Sequence, residues 1–313
     1  MNDIQIHFAP LQGYTDAVYR KAHASVFGGV DAYYTPFVRI DNGVVRSKEL
    51  RDISRVNNLP HCVIPQLIAS SVDEFTCLAS LFKEEGYTRA DINLGCPFPK
   101  QTRLNRGSKL LALPEQTFEI LTLVNDFSSI NFSVKMRIGW DDSAQFEKIL
   151  PFLNELPLSH ITLHPRLGTQ QYKGKPDMSA FEQFYHACSQ PLFYNGDIDN
   201  LDLCTEIIDR FPLIAGVMIG RGLLSYPWMA VEYKSGKKIE QEERRKMLID
   251  FHELLFEGYA NQLEGGDHQL LSKLKTIWDY FLPDSEKKMR KKVIKSTSLN
   301  NYRLSVSSLL ADY

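Results

Sequence analysis

Cysteine is scarce in this chain and scattered. Cys62, Cys77, Cys96, Cys188 and Cys204 form no C-x-x-C pair and are odd in number. That argues against a disulfide framework and a structural zinc site, and for a reducing compartment. No uncharged apolar run approaches the roughly 18 residues that suggest a membrane span. The opening MNDIQIHFAP lacks the basic and apolar regions of a secretory signal. A cytoplasmic protein without membrane association is therefore expected. Charge of one sign is missing too: 36 Lys+Arg stand against 38 Asp+Glu, net −2, so the whole chain does not announce a polyanionic partner. No G-x-G-x-x-G follows the first strand-like run, which removes the usual signature of a doubly wound dinucleotide fold. Asp141-Asp142 has no His or Glu neighbour to complete a metal set, so a helix N-cap and no metal are expected there.

What is present is a recurrence of short β-rich runs, each ending in polar or turn residues: IQIHFAP (4–10), DAYYTPFVR (31–39), HCVIPQLIA (61–69), ADINLGCP (90–97), FSVKMRIG (132–139), HITLHPR (160–166), PLFYNGDI (191–198) and AGVMIGRG (215–222). Amphipathic segments with helical spacing lie between most of them. Eight strands alternating with helices over about 220–230 residues predict a (β/α)8 barrel, the TIM-barrel architecture. The second unit is the least regular, because RIDNGVVRSKELRDISRV is polar and reads partly as loop. After residue 222 the strands stop. Helices are expected at 240–262 and 268–282, with one or two more in 285–310; Leu248, Phe251, Leu254, Leu255 and Phe256 would form one apolar face. Two domains follow, a barrel at 1–233 and an all-α helical one at 234–313. Their charges differ: 21 Lys+Arg and 26 Asp+Glu (net −5) in the first, 15 and 12 (net +3) in the second. The run KKMRKKVIK (287–295) reads either as a solvated helix face or as a phosphate-contacting surface.

In such barrels the C-terminal strand ends build the active site. Here those ends bring Pro10–Leu11–Gln12, Arg39, Gln66, Asn93 with Cys96, Lys135 with Arg137, His164 with Arg166, Asn195–Gly196–Asp197, and Gly220–Arg221–Gly222. The NGD and GRG loops end the last two strands, where barrels commonly hold a phosphate. Lys135 and Arg137 alternate into the same face of an apolar strand, and two cations so directed need an anionic ligand. A phosphate with an electron-rich ring fits, and reduced flavin mononucleotide (FMN) supplies both. Cys96 stands just past a strand, on a loop stiffened by Pro97 and Pro99.

APLQGYTD, PQLIAS, DINLGCP, SVKMRIGWDD, TLHPRLGTQQYKG, YNGDI and MIGRG, taken in order, resemble the tRNA-dihydrouridine synthases, from residue 8 to about 229, with a further echo at SKLKTIWDYF (272–281). PFVRI and the spacing of Lys273, Lys275, Trp278 and Tyr280 look most like the family's C subgroup. The resemblance implies an FMN-dependent, NADPH- (or NADH-) reduced oxidoreductase that reduces the C5–C6 double bond of uridines in tRNA. Pro10, Leu11, Gln12 and Gln66 would line the isoalloxazine ring, with Lys135 and His164 at its pyrimidine edge. Asn195, Gly196, Asp197, Gly220 and Arg221 would hold the ribityl chain and phosphate. Cys96 would be the general acid, and Asn93 would hold the uracil. Arg39, Arg137, Arg166, Tyr172, Lys273, Lys275 and Tyr280 would meet the RNA. No protein partner is implied, and a monomer is expected.

One departure stands out. After the cysteine the family usually carries a small-residue loop with two or more glycines, whereas here it reads KQTRLNRGSKLLA, with Gly107 alone. Cys62, Cys77, Cys188 and Cys204 are expected to be inert packing residues, as are Trp140, Trp228 and Trp278. Two rival functions share features with this reading: an FMN oxidoreductase of free pyrimidines, which would not need the basic helical appendage, and a non-catalytic RNA-binding barrel, against which Cys96, Lys135 and His164 speak.

Overall fold

The computed structural model describes residues 4–58 and 62–313; His61, at the head of the third expected run, lies outside them. The strands are β1 (Gln5–Phe8), β2 (Ala32–Tyr34), β3 (Ile40–Asp41), β4 (Val44–Val45), β5 (Val63–Ile64), β6 (Gln66–Leu67), β7 (Arg89–Leu94), β8 (Asn131–Gly139), β9 (Ile161–Leu167), β10 (Leu192–Tyr194) and β11 (Gly216–Ile219). Nine of them form one parallel sheet in the order β5-β2-β1-β11-β10-β9-β8-β7-β6. Its two ends, β5 and β6, are halves of the third expected run, divided at Pro65. One half pairs with β2 and the other with β7. Proline has no N–H to give a ladder, but its carbonyl still accepts from Asp91 N–H at 2.9 Å. The eight runs thus close a TIM-type barrel through that broken strand.

The polar second unit is more ordered than its composition suggests. β3 and β4 form a small antiparallel hairpin around Asn42 and Gly43, both at positive φ. Helices Ser47–Ile53 and Arg55–Asn58 follow.

A strand period of two sorts the side chains. Ile6, Phe8, Ile92, Val134, Met136, Leu163 and Val217 face outward into the main core between sheet and helices. The barrel interior has its own small apolar set, Ala9, Ala32, Tyr34, Ile64 and Met218. Around that set the inward positions are polar: His7, Gln66, Asp91, Asn93, Ser133, Lys135, Thr162 and His164. All of these except Lys135 are buried. Register places Asn93 beside Lys135, Lys135 beside Thr162, and Arg137 beside His164.

Four longer helices close the chain: Gln241–Gln262, Gly266–Ile277, Lys287–Lys295 and Leu299–Asp312. Leu248, Phe251 and Leu255 are buried as expected, but Leu254 is exposed at 39%. The first of these helices packs on Ala17–Val26, where a Cβ on Gly258 would come within 2.6 Å of Val18. Tyr259 donates to Asp16 Oδ1 at 2.9 Å, which fastens the helices to the barrel. Among the described residues no helix is long and apolar enough to cross a membrane.

Candidate active site

The strand ends surround two communicating cavities, of about 440 and 130 Å3. Pro10, Leu11, Lys135, His164, Tyr172, Arg221 and Tyr280 line both. The larger continues over Asn195, Gly196, Asp197 and Gly220; the smaller is bounded by Gln12, Gln66, Asn93 and Cys96. Every residue expected at the cofactor therefore lies on this one surface.

Lys135 donates to Asn195 Oδ1 at 2.7 Å, and Asn195 Nδ2 donates to the Met218 carbonyl at 2.6 Å, fixing that amide's orientation. Burial, then the neighbouring Arg137, brings the Lys135 ammonium down to about 8. It is still largely charged at neutral pH. His164 is held well below its ordinary value by burial and by Arg137, Lys135 and Arg166, so its imidazole is neutral. Its Nε2 lies 3.1 Å from an Arg166 nitrogen and accepts from it. Arg166 also donates to Asp197 Oδ1 (2.9 Å) and the Gly174 carbonyl (2.6 Å), and Arg221 donates to Asp197 Oδ1 at 2.7 Å. Arg137 donates to the carbonyls of Gly95 (3.0 Å) and Leu167 (2.7 Å). The guanidinium groups of Arg137 and Arg221 lie 5.5 and 5.0 Å from the Tyr172 ring centre. Four cations thus gather at this mouth, and two of them, Arg166 and Arg221, pair with Asp197.

The donor set fits a flavin mononucleotide. Excess positive charge suits a phosphate and an anionic reduced ring. At Gly222 a Cβ would collide with the Ile198 carbonyl, so that loop admits only glycine there; at Gly196 one would stand 3.0 Å from Tyr194 Oη, a contact tight enough that the tyrosine would have to shift. Two buried polar atoms beside the cavities, Thr162 Oγ1 and Arg166 Nε, have no partner among the described residues.

Cys96 is 5% exposed and packs with Phe37 and Ile68. Its loop is held by Asn93, whose Oδ1 accepts from Gly95 N–H (3.0 Å) and Cys96 N–H (2.8 Å). Ser108 N–H and its hydroxyl both donate to the Cys96 carbonyl at 3.0 Å. Gly107 explains why one glycine survives in the loop. Its φ is +63°, and a Cβ there would lie 2.6 Å from the Cys96 carbonyl. Burial pushes the Cys96 thiol up, against the weaker pull of Arg137 and Lys135. A thiol kept protonated at neutral pH can donate a proton, whereas a thiolate could not.

The expected RNA-facing residues divide. Tyr172 is 42% exposed and lines both cavities with Tyr280. Arg137 and Arg166 are 2% and 1% exposed, beneath the mouth instead of on an outer face. Arg39 sits at the rim, paired with Glu49 and Asp41. Lys273 donates to the Gly13 carbonyl (2.7 Å) and pairs with Asp16 (2.8 Å), and Lys275 donates to the Ser296 carbonyl (2.9 Å). Both lysines therefore tie helix to barrel or helix to helix. In the basic run, Arg290 turns inward to the carbonyls of Trp278, Phe281 and Leu282, while Lys287, Lys288, Lys291, Lys292 and Lys295 are exposed.

Two smaller expectations change, and the packing role expected of the tryptophans does not. Asp142 caps a turn at Ala144 N–H, not the helix Gln145–Glu155, whose N-cap is Ala144 itself. Cys62 and Cys77 are exposed, so they are not packing residues; Cys204 is buried and Cys188 half-buried. Trp228 and Trp278 are buried and Trp140 half-buried. The sequence pattern did not single out Asp91, which is wholly buried below Gln66 and Asn93; an acid at an inward strand position was the available signal.

The dihydrouridine synthase family model matches residues 7–301. A probable tRNA-dihydrouridine synthase 1 of Synechocystis is 27% identical over 74% of this chain and 65% of its own length. A probable tRNA-dihydrouridine synthase of Rhizobium leguminosarum is 25% identical over 82% and 80%. The tRNA-dihydrouridine synthase B of Pasteurella multocida is 29% identical over 52% and 49%. The chain thus spans less than two thirds of the length of the first and third of these relatives. These names give no support to the C subgroup in particular. Among solved structures, a morphinone reductase variant in complex with tetrahydroNAD (12% identity, TM-score 0.54, 77% of this chain and 90% of that one) shares the fold. So does the old yellow enzyme of Trypanosoma cruzi (9%, 0.51, 75% and 89%).

Proposed function

The chain belongs to the dihydrouridine synthase family, and from that premise we propose that it is an FMN-dependent oxidoreductase that reduces the C5–C6 double bond of uridines in tRNA. The observation that carries the reading is one mouth holding both four cations, of which Arg166 and Arg221 pair with Asp197, and a buried thiol that burial keeps protonated. FMN, reduced by NADPH (or NADH), would supply the hydride delivered to uracil C6. Lys135 would hold the electron-rich edge of the ring, and its bond to Asn195 fixes where that charge sits. The Gly196–Asp197 and Gly220–Arg221 loops would take the ribityl chain and phosphate. Cys96 would deliver the proton to C5, from a loop that Asn93 and Ser108 hold still.

A uridine inside folded RNA reaches such a mouth only when extruded from its stack. Tyr172 and Tyr280 stand where the extruded nucleotide would pass. We assign the remaining RNA docking to the helical part, 234–313, and within it to the exposed lysines of Lys287–Lys295, since Lys273 and Lys275 already serve protein carbonyls.

The direct test is optical. Purified protein should be yellow, should release FMN on denaturation, and should take FMN up again after stripping. A colourless protein that binds no FMN on titration would favour the non-catalytic barrel instead. Turnover with free uridine equal to that with tRNA would favour the free-pyrimidine enzyme.

A further inference from the structure

Asp91 is 0% exposed, lies inside the barrel and does not line the cavities. Other inward positions of the barrel hold apolar side chains, Ile64 and Met218 among them, so a carboxylate is not a general requirement of the interior. Its two oxygens accept one bond each, from Gln66 Nε2 and from Ser133 Oγ, both at 2.6 Å. Burial raises the Asp91 carboxyl to about 7; its ionised form only accepts, and with that form Gln66 turns its amide nitrogen toward Asp91 and its oxygen away. That oxygen accepts from Asn93 Nδ2 at 2.7 Å. Asn93 then has its own oxygen left for the loop, where it accepts from Gly95 and Cys96 N–H. Donor and acceptor direction thus passes without a break from Asp91 to the cysteine loop. Three of the members, Gln66, Asn93 and Cys96, line the smaller cavity.

We propose that Asp91 is a positioning residue: through Gln66 and Asn93 it sets the amide orientations at the floor of the mouth and holds Cys96 where its proton is delivered. This rests on the functional reading above for the role of Cys96; the chain of hydrogen bonds does not. An apolar residue at 91 would leave Gln66 free to flip, and with it Asn93. Misplacement of a donor by about 1 Å costs on the order of 10²-fold in rate.

Two variants separate acceptor direction from mere burial. Asp91→Leu keeps the branching at Cγ, with bulkier methyls in place of the oxygens, and erases the acceptor. Asp91→Asn can keep its carbonyl on Gln66 and give its N–H to Ser133 Oγ, whose hydroxyl has the Ala90 carbonyl 3.5 Å away as an alternative partner. Two readouts are taken on flavin-loaded protein. One is uridine reduction in tRNA per bound flavin; the other is the rate at which iodoacetamide alkylates Cys96, followed by peptide mass without any substrate.

Asp91→Leu should lose about 10²-fold in uridine reduction and alkylate faster at Cys96, while Asp91→Asn stays close to wild type in both. Wild-type alkylation and reduction in Asp91→Leu would overturn the proposal. So would an Asp91→Asn protein as impaired as Asp91→Leu, because polarity would then not be what matters. Should Asp91→Leu not fold, Asp91→Ala replaces it with the same expected ranking, and Asp91→Asn still decides. Variants that alkylate in the expected order while the wild-type protein reduces no uridine would overturn the functional reading and leave the relay standing.

Discussion

At the base of the barrel, Tyr34 Oη stands between two imidazoles, 3.1 Å from His7 Nδ1 and 2.9 Å from His160 Nε2. His7 stacks on Phe193 at 4.2 Å, and Gln5 and Ser159 serve the outer ring nitrogens. Both histidines are kept neutral chiefly by burial, His160 at about 3 and His7 well below its ordinary value. At the mouth, a similar number of inward polar groups is charged instead. Among the described residues, Lys135, Arg137, Arg166 and Arg221 have only Asp197 as carboxylate partner within hydrogen-bonding reach. The base satisfies itself with neutral bonds, which is how buried polar groups contribute to stability. The mouth keeps cations that the chain does not neutralise, and such charge is justified by a ligand. Within one barrel, then, inward polar positions are neutral and paired with one another at one end and charged without full neutralisation at the other.

Changes at the mouth should alter activity with little effect on stability, and changes at the base should do the reverse. The largest effect is expected at Cys96. Cys96→Ala should lower dihydrouridine formation by about 10²–10⁴-fold while NADPH oxidation and flavin content stay near wild type; equal product yields would assign the proton to another group. Next comes Lys135→Met, which removes a charged partner and should weaken FMN binding by about 1.5–3 kcal/mol. Titration of stripped protein measures this, and urea unfolding without cofactor should show no matching loss.

At the base, His160 has a folded value near 3 against 6.5 unfolded. Its contribution to stability is therefore present above pH 6.5 and is lost as pH falls toward 3. Unfolding at about pH 5.5 should show about 1.2 kcal/mol less stability from this group than at neutral pH. His160→Gln should flatten that limb without touching uridine reduction per flavin; an unchanged limb would break the comparison. The smallest effect belongs to Lys287, Lys288, Lys291, Lys292 and Lys295. Changing them to Gln should leave unfolding within about 0.5 kcal/mol. It should also lower the salt dependence of tRNA binding by about 0.7–0.9 for each phosphate that is no longer neutralised. An identical slope would make this helix a solvated face only.

The strand pattern was legible because inward and outward residues alternate, and the mouth because strand ends carry NGD, GRG and the cysteine loop. Pro65 marked the break between β5 and β6, but the two opposite pairings that use it depend on strands far apart in sequence. The β3–β4 hairpin had a local signal, Asn42-Gly43, that the surrounding polarity obscured. Lys273, Lys275 and Arg290 read as solvent-facing cations because their carbonyl partners are set by tertiary packing. Asp91 escaped notice for the opposite reason: one acid in a strand looks like an exposed position until the barrel closes around it.

On the function proposed above, this mouth joins a flavin site to a proton-donating thiol acting on tRNA. Purified flavin-loaded protein, given NADPH and tRNA lacking dihydrouridine, should convert uridine with a mass gain of two hydrogens, and Cys96→Ala should lose that product while still oxidising NADPH. A yellow, NADPH-oxidising wild-type protein that leaves every uridine in the tRNA unreduced would contradict the account.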